Sequence, residues 1–365
     1  MRSIGLLFLT YLLFAGNLPA QRKKAETAPG VFAGGVVYSL PRTGIRLFVE
    51  VLQEKFFHGP YYEYAQKYLG IKGAPATDSE NWTITGVKIE TYGEPDPTEV
   101  HKASGSVASL LSLSEDGILA GINSKIKGED GKVVTSDFTK DVEVPRQLWP
   151  DVSMHSFLAE KDTVRRSGNT FKSFEEKAAE AANDIVKLRK RKALTLAAKY
   201  DKLPPDGKAY EVMVSDLDRI IDEYTSLFIG KSYRGKHNYT FEVVPDNKGV
   251  KGLVAFRFSP SSGVLPESNV SGKPIMLELE PNTDIVKNGY QASSPVSGET
   301  SANGIYYRIP GIAVAKVLNG SEVLALARLS IAQFGVVTHM PDALLNGDYS
   351  IEFHKVTGAI QRIGD

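Results

Sequence analysis

Phe171 to Phe228 reads FKSFEEKAAEAANDIVKLRKRKALTLAAKYDKLPPDGKAYEVMVSDLDRIIDEYTSLF. This stretch decides the fold class, because it is the one block with helical periodicity and strand-like sequence lies on both sides of it. Adjacent prolines and a glycine in Leu203-Pro204-Pro205-Asp206-Gly207 cannot continue a helix, so the block divides into two. In the second helix Met213, Leu217, Ile220, Tyr224, Leu227 and Phe228 recur at three- and four-residue steps, and Gly230 follows as a stop. The first is alanine-rich and carries a basic run, Lys187, Arg189, Lys190, Arg191 and Lys192. Acids dominate the second: Asp206, Glu211, Asp216, Asp218, Asp222 and Glu223. The two therefore read as an antiparallel pair with complementary charge. That pairing accounts for the basic run without calling on anionic lipid.

Outward from this block the period changes from helical to alternating. On the N-terminal side a strand through Gly35–Leu40 is expected to stop at Pro41, and a longer one has Ile45, Leu47, Val49 and Val51 on one face. Pro60 opens a short helix bearing Tyr61, Tyr62, Tyr64 and Tyr68, closed by Gly70. From Trp82 to Tyr92 the apolar parity switches at Gly86, which predicts a bulge. Asp116-Gly117 and Asp130-Gly131 are hairpin turns. Val134 to Asn169 is polar and broken by Pro145 and Pro150, and reads as surface loop with a strand or two.

On the C-terminal side strands are expected around Tyr239–Val243, Val254–Phe258 and Ile275–Leu279, then at Ile305–Ile309, stopped by Pro310. A hairpin follows with an Asn319-Gly320 turn, and closing strands flank Thr357-Gly358. Gly35–Pro41 and Gly304–Pro310 share glycine, aliphatic, any, tyrosine, any, aliphatic, proline. One short match is better explained by common turn chemistry than by duplication. The fold class expected is α+β: mostly antiparallel β in two modules, 31–170 and 231–365, with a helical hairpin over 171–230 between them.

The N-terminus supplies an address. Arg2, an apolar run from Ile4 to Ala15, and Leu18-Pro19-Ala20 before Gln21 make a secretory signal peptide over 1–20, cut between Ala20 and Gln21, with a polar lead-in over 21–30. The chain has no cysteine, so neither a lipid-carrying cysteine nor a disulfide is available, and stability must come from packed cores. After cleavage about 345 residues remain, enough for more than one core. No second segment is apolar enough to cross a bilayer as a helix. Net charge is zero with 43 basic and 43 acidic residues, so nothing favours a nucleic-acid partner.

Gly35–Pro41, the Gly59–Ala65 and Lys67–Gly70 segments, Phe256–Ser259, Tyr307–Pro310 and Gln333-Phe334-Gly335 resemble a Bacteroidetes family catalogued as domain of unknown function 4831. The resemblance covers most of the mature chain. It implies a secreted envelope protein and brings no catalytic residues with it.

No reactive constellation is legible. The six histidines are scattered, none with a metal-ligand partner at helical spacing, so no metal and no cofactor is expected. No nucleophile elbow, phosphate loop or dinucleotide fingerprint occurs. Glu278 with Glu280, and Glu90 with Glu94, are carboxylate pairs of the kind glycoside hydrolysis needs, though solvated strand faces explain them as well. The binding candidates are aromatic: Tyr61, Tyr62, Tyr64 and Trp82. Of the helix tyrosines, Tyr61, Tyr64 and Tyr68 share a face that reads as core, and Tyr62 points elsewhere. Asp162-Thr163-Val164 fits a short O-glycosylation pattern. The expected role is a non-catalytic periplasmic or outer-membrane-associated protein that binds another envelope component. The alternative is a glycan-active protein, carbohydrate-binding or hydrolytic.

Overall fold

A computed structural model describes residues 31–32, 35–124, 142–149, 173–197, 207–282, 304–345 and 348–364. The signal peptide with its Ala20/Gln21 junction, the lead-in, the Asp130-Gly131 turn, Asp162–Val164 and the prolines of the interhelical turn lie outside the described residues. The strands are β1 Val31–Phe32, β2 Gly35–Phe57, β3 Ser79–Ala103, β4 Leu111–Leu113, β5 Leu119–Ile122, β6 Lys231–Val243, β7 Val250–Ser259, β8 Gly263–Leu265, β9 Lys273–Asn282, β10 Tyr306–Asn319, β11 Glu322–His339, β12 Ser350–Phe353 and β13 Ile360–Gly364. The helices are α1 Ala65–Leu69, α2 Phe174–Leu196, α3 Gly207–Ile229 and α4 Asp342–Leu345. All the strand ladders are antiparallel, and the architecture is α+β, mostly β.

Three sheets form. In the first, β2 pairs with β3 on one side and with β6, and briefly β1, on the other. The second runs β11-β10-β9-β7-β8 and the third β13-β12-β5-β4. Sequence on either side of the helices thus shares sheets: β6 lies along β2, and β12 along β5. The first two sheets face each other as a sandwich. Ile45, Leu47, Val49 and Val51 meet Phe256, Ile275, Leu277, Leu279, Ala313, Ala315 and Val317 in one core, and each of these is at most 1% exposed. A second core gathers Tyr38, Leu40, Ala103, Leu119, Ile122, Ile305, Met340, Ile351 and Phe353.

The long strands serve both cores, which corrects two expected stops. Neither Pro41 nor Pro310 ends its strand. Each sits at a register shift, between Ser39 and Pro41 in β2 and between Ile309 and Gly311 in β10. A proline lacks the N–H a ladder needs, and a bulge removes that demand while bending the strand from one core into the other. The echoed heptapeptides therefore occupy matching places, with Tyr38 and Tyr307 both at the second core. The Gly86 bulge is present, since Glu50 pairs Gly86 and Val51 pairs Ile84, leaving Thr85 extra. The β10–β11 turn falls one residue later than expected. Asn319 pairs Glu322, and Gly320 takes φ +63° while Ser321 does not have positive φ. Glycine at the first central position suits this two-residue turn.

The helical pair is rooted at one end. Ser173 caps α2 through a reciprocal box with Glu176, its Oγ accepting from Glu176 N at 3.2 Å and its N–H donating to Glu176 Oε2 at 2.7 Å. Ala178, Ala181, Ala182 and Ile185 pack against Tyr224, Leu227 and Phe228, together with Tyr61 and Ala65. Alanine on that face brings the two backbones close. Gly230, at φ +90°, ends α3 against Phe56 and Phe57.

Candidate functional site

The inner face of β2 keeps its alternation past the last core residue, and its chemistry changes there. Val51 is followed on the same face by Gln53 and Lys55. Opposite Gln53 stand Trp82 on β3 and Gly235 on β6; opposite Lys55 stand Glu80 and Tyr233. The reason for the change is that the facing sheet runs out. Trp82 N donates to Pro260 O at 2.7 Å, and Gly263 lies so close that a Cβ there would come within 2.8 Å of the Trp82 ring. Past the β7–β8 turn, the Glu80–Lys55–Tyr233 row has no opposing strand among the described residues.

The cluster at this open end is tightly connected. Glu80 Oε1 accepts from the Gln53 amide at 2.7 Å and from the Trp82 indole N–H at 2.9 Å. The Gln53 Oε1 and His237 Nε2 are 2.8 Å apart, and the Trp82 and His237 rings lie 4.9 Å centroid to centroid. Gln53 and His237 are buried, whereas Trp82 is half-buried and Glu80 exposed. Residues 142–149 run beside β6: Val142 sits over Gly235, Lys231 donates to Leu148 O at 2.9 Å, and Lys231 Nζ lies 5.5 Å from the Trp149 ring centroid. Phe57 meets Tyr233 edge-on at 5.9 Å. The outcome is a shelf of aromatic and polar groups at the mouth of a sandwich. Trp82 was legible as a candidate. Gln53, Glu80 and His237 were not, since only the pairing register brings them together.

The other aromatic candidates belong to the root of the helical pair. Tyr61 is 5% exposed, its ring 5.0 Å from Phe174 and 5.6 Å from Phe228, and burial pushes its hydroxyl pKa up. Tyr64 packs beside Tyr68 and Phe174, and Tyr68 donates to Glu175 at 3.1 Å. Tyr62 is half-buried. Its ring meets His58 edge-on at 5.5 Å and its hydroxyl donates to Glu63 at 3.1 Å, which raises its pKa. His58 Nδ1 in turn lies 2.6 Å from Asp78 Oδ1.

The carboxylate pairs each meet a cation: Glu280 with Lys316 at 3.6 Å, Glu94 with Arg42 at 2.5 Å, and Glu90 with Lys88. A cavity of about 630 Å³ lies along α3, lined by Asp218, Asp222, Glu223, Ile229 and Lys231 among others, with no aromatic wall. Within the basic run Lys192 pairs across the helices with Asp218, whereas Lys187 pairs within α2 with Asp184 at 3.6 Å. Arg189, Lys190 and Arg191 make no ion pair with a described residue. No group of three metal-ligating side chains occurs among the described residues, and no described helix is long and apolar enough to cross a membrane.

A second exposed feature lies on the other sheet. Among the described residues β11 is its edge, paired only with β10. Ala332 N turns away from β10 to Thr43 Oγ1 at 2.9 Å, so by alternation the N–H and C=O of Ser330, Arg328 and Leu326 also face outward. No described residue takes them up. Leu326 is 66% exposed and Val323 54%. On the outer face Val323, Leu318 and Met276 form one cross-strand row and Leu326, Lys316 and Glu278 another.

The class these features define is an antiparallel β-sandwich with a second core and a helical arm, with one sheet edge that no described strand covers. Residues 34–361 match the family described as domain of unknown function (DUF4831), and the chain belongs to that family. No curated protein and no solved structure matches it.

Proposed function

We propose that this protein is exported and acts without catalysis of its own, by holding another protein of the cell envelope. The observation that carries the reading is the open edge of β11. N–H and C=O groups in a row with no partner among the described residues, next to exposed Leu326 and Val323, suit an extended segment of a partner that would add a strand to the sheet. Natural edges of this length are ordinarily covered or heavily charged, and here Arg328 is the single charge between Val323 and Gln333. Export rests on the N-terminal sequence, and the absence of cysteine sets aside a lipid anchor at one.

The test is cross-linking of the tagged protein in intact cells, run beside a Leu326→Lys variant. A defined envelope protein recovered with the wild type and lost with the variant supports the reading. Equal recovery with both, or none with either, overturns it. Mass spectrometry of the mature protein checks the address, with Gln21 expected as the first residue.

A further inference from the structure

We propose that the outer face of α2 is a docking surface for anionic lipid headgroups, which holds the molecule peripherally at a membrane. The inference uses no residue of the β11 edge, and either can fail without the other.

Opposite charges along α2 and α3 suggest a pair that neutralises itself, and the structure shows this at one place. Among the described residues the ion pair between the two helices is Lys192 with Asp218. Asp216 and Glu223 turn instead to Arg219 on their own helix, at 3.4 and 3.1 Å, and Lys187 turns to Asp184 at 3.6 Å. Arg189, Lys190 and Arg191 are exposed, and none pairs with a described acid. Their placement follows from the helical period. Ala178, Ala181, Ile185 and Leu188 form the buried stripe of α2. Lys187, Lys190 and Arg191 stand three and four residues apart and share the face turned away from it, while Arg189 borders the stripe. Val186 and Ala193, four before and three after Lys190, are exposed beside it and short enough for the ammonium group to reach past them.

Two ordinary reasons for a basic helix fall short here. A helix C-terminus attracts cations through its dipole, but the effect is confined to the last turn, and the last turn of α2 carries no basic residue. Ion pairing covers two of the five cations, Lys187 and Lys192. Like charges three and four residues apart repel, so their concentration works against the helix that carries it. At their level the core between the helices is Leu188, Leu217 and Ile221 with Ile220, and no strand residue belongs to it. Anionic headgroups supply what such a face lacks, since each Lys or Arg near the surface adds to the attraction. A fluid lipid surface also brings a phosphate to each cation where it stands, so no fixed spacing is required.

The test is sedimentation of the chain from Gln21 onward with phosphatidylcholine vesicles, with and without about 30% phosphatidylglycerol, at about 0.05 M salt. The expected result is binding to the anionic vesicles alone, lost when salt is raised to about 0.5 M. Arg189→Gln, Lys190→Gln and Arg191→Gln together remove three cations and should weaken binding about a hundredfold, with the melting temperature held. Arg189→Lys with Arg191→Lys keeps the charge and should keep the binding. Lys72, Lys248 and Lys251 are exposed elsewhere, and replacing all three by Gln makes the same change in net charge and should leave binding intact. The proposal is overturned if the anionic vesicles are not bound, if both triple variants weaken binding equally, or if the α2 variant binds as the parent does. Binding of inorganic polyphosphate by a protein that ignores the vesicles also overturns it, since that would be a site for an anion in solution.

Discussion

β2 carries a polar cluster at each end of its sandwich stretch, and the two are built on opposite terms. At the waist between the cores, Thr43 is fully buried, its Oγ1 donating to Val356 O at 2.9 Å and accepting from Ala332 N at 2.9 Å. Gln333 clasps the same residue, accepting from Thr43 N at 2.8 Å and donating to Thr43 O at 3.0 Å and Pro245 O at 3.1 Å. Nearby Arg308 and Asp96 pair at 2.5 Å with both side chains 6% exposed. At the mouth, Gln53, Glu80, Trp82 and His237 are as well connected, yet one member stays in water. The waist ties β2, β3, β10, β11 and the 354–358 turn into one body. The mouth ties β2, β3 and β6 together and reaches the other sheet through the Trp82 N–H on Pro260 O. A closed polar cluster fixes the fold, whereas an open one leaves bonding capacity for something else.

The largest expected effect breaks the closed end. Burial alone would raise the Asp96 carboxyl, but hydrogen bonds from the Thr98 hydroxyl and N–H, together with Arg308, outweigh it and hold its pKa below the ordinary value. Asp96→Asn leaves a buried guanidinium without its counter-charge and should cost about 3–5 kcal/mol in urea unfolding at pH 7. Because the folded pKa is depressed, this stabilisation is present above the unfolded carboxylate pKa, near 4, and is lost as pH falls through the folded value. The gap between wild type and variant should therefore narrow below about pH 4. A gap independent of pH would mean the pair is not what Asp96 contributes.

Thr43→Val is the next step down. It keeps shape and strips Val356 O and Ala332 N of their partner, so about 1–3 kcal/mol is expected by the same measurement. A change near zero would show that the waist is held by Gln333 alone. At the open end the same kind of edit should hardly register. Glu80→Gln keeps an acceptor for Trp82 and Gln53 in an exposed position, so roughly 0.5–1 kcal/mol is expected. A loss matching that of Thr43 would make the mouth a structural cluster, and the contrast between the ends would fail.

What the sequence made legible follows from how local each feature is. The helical pair, the Gly86 bulge and the closing strands rest on periods and turn residues within a dozen positions. Pro41 and Pro310 misled because a proline reads as a stop unless a bulge relieves it, and the bulge depends on partner strands far away in the chain. The sharing of sheets across the helical block, β6 on β2 and β12 on β5, is set by pairing between distant segments that alternation alone does not specify. The same holds for the mouth. Gln53 and His237 sit 184 positions apart, and neither residue alone differs from any other polar residue on a strand.

The smallest expected change sharpens the comparison on the other sheet. Leu326 is two-thirds exposed, and Leu326→Lys should shift stability by less than about 0.5 kcal/mol. It adds a charge where an incoming strand would lie, the device natural edges use to stay unpaired. Unaltered unfolding together with a lost cross-link would set β11 apart from the waist, as an edge whose backbone groups no described residue takes up. Destabilisation by more than about 1 kcal/mol would instead mean that Leu326 is covered in the folded chain, and the β11 edge would join the waist as architecture.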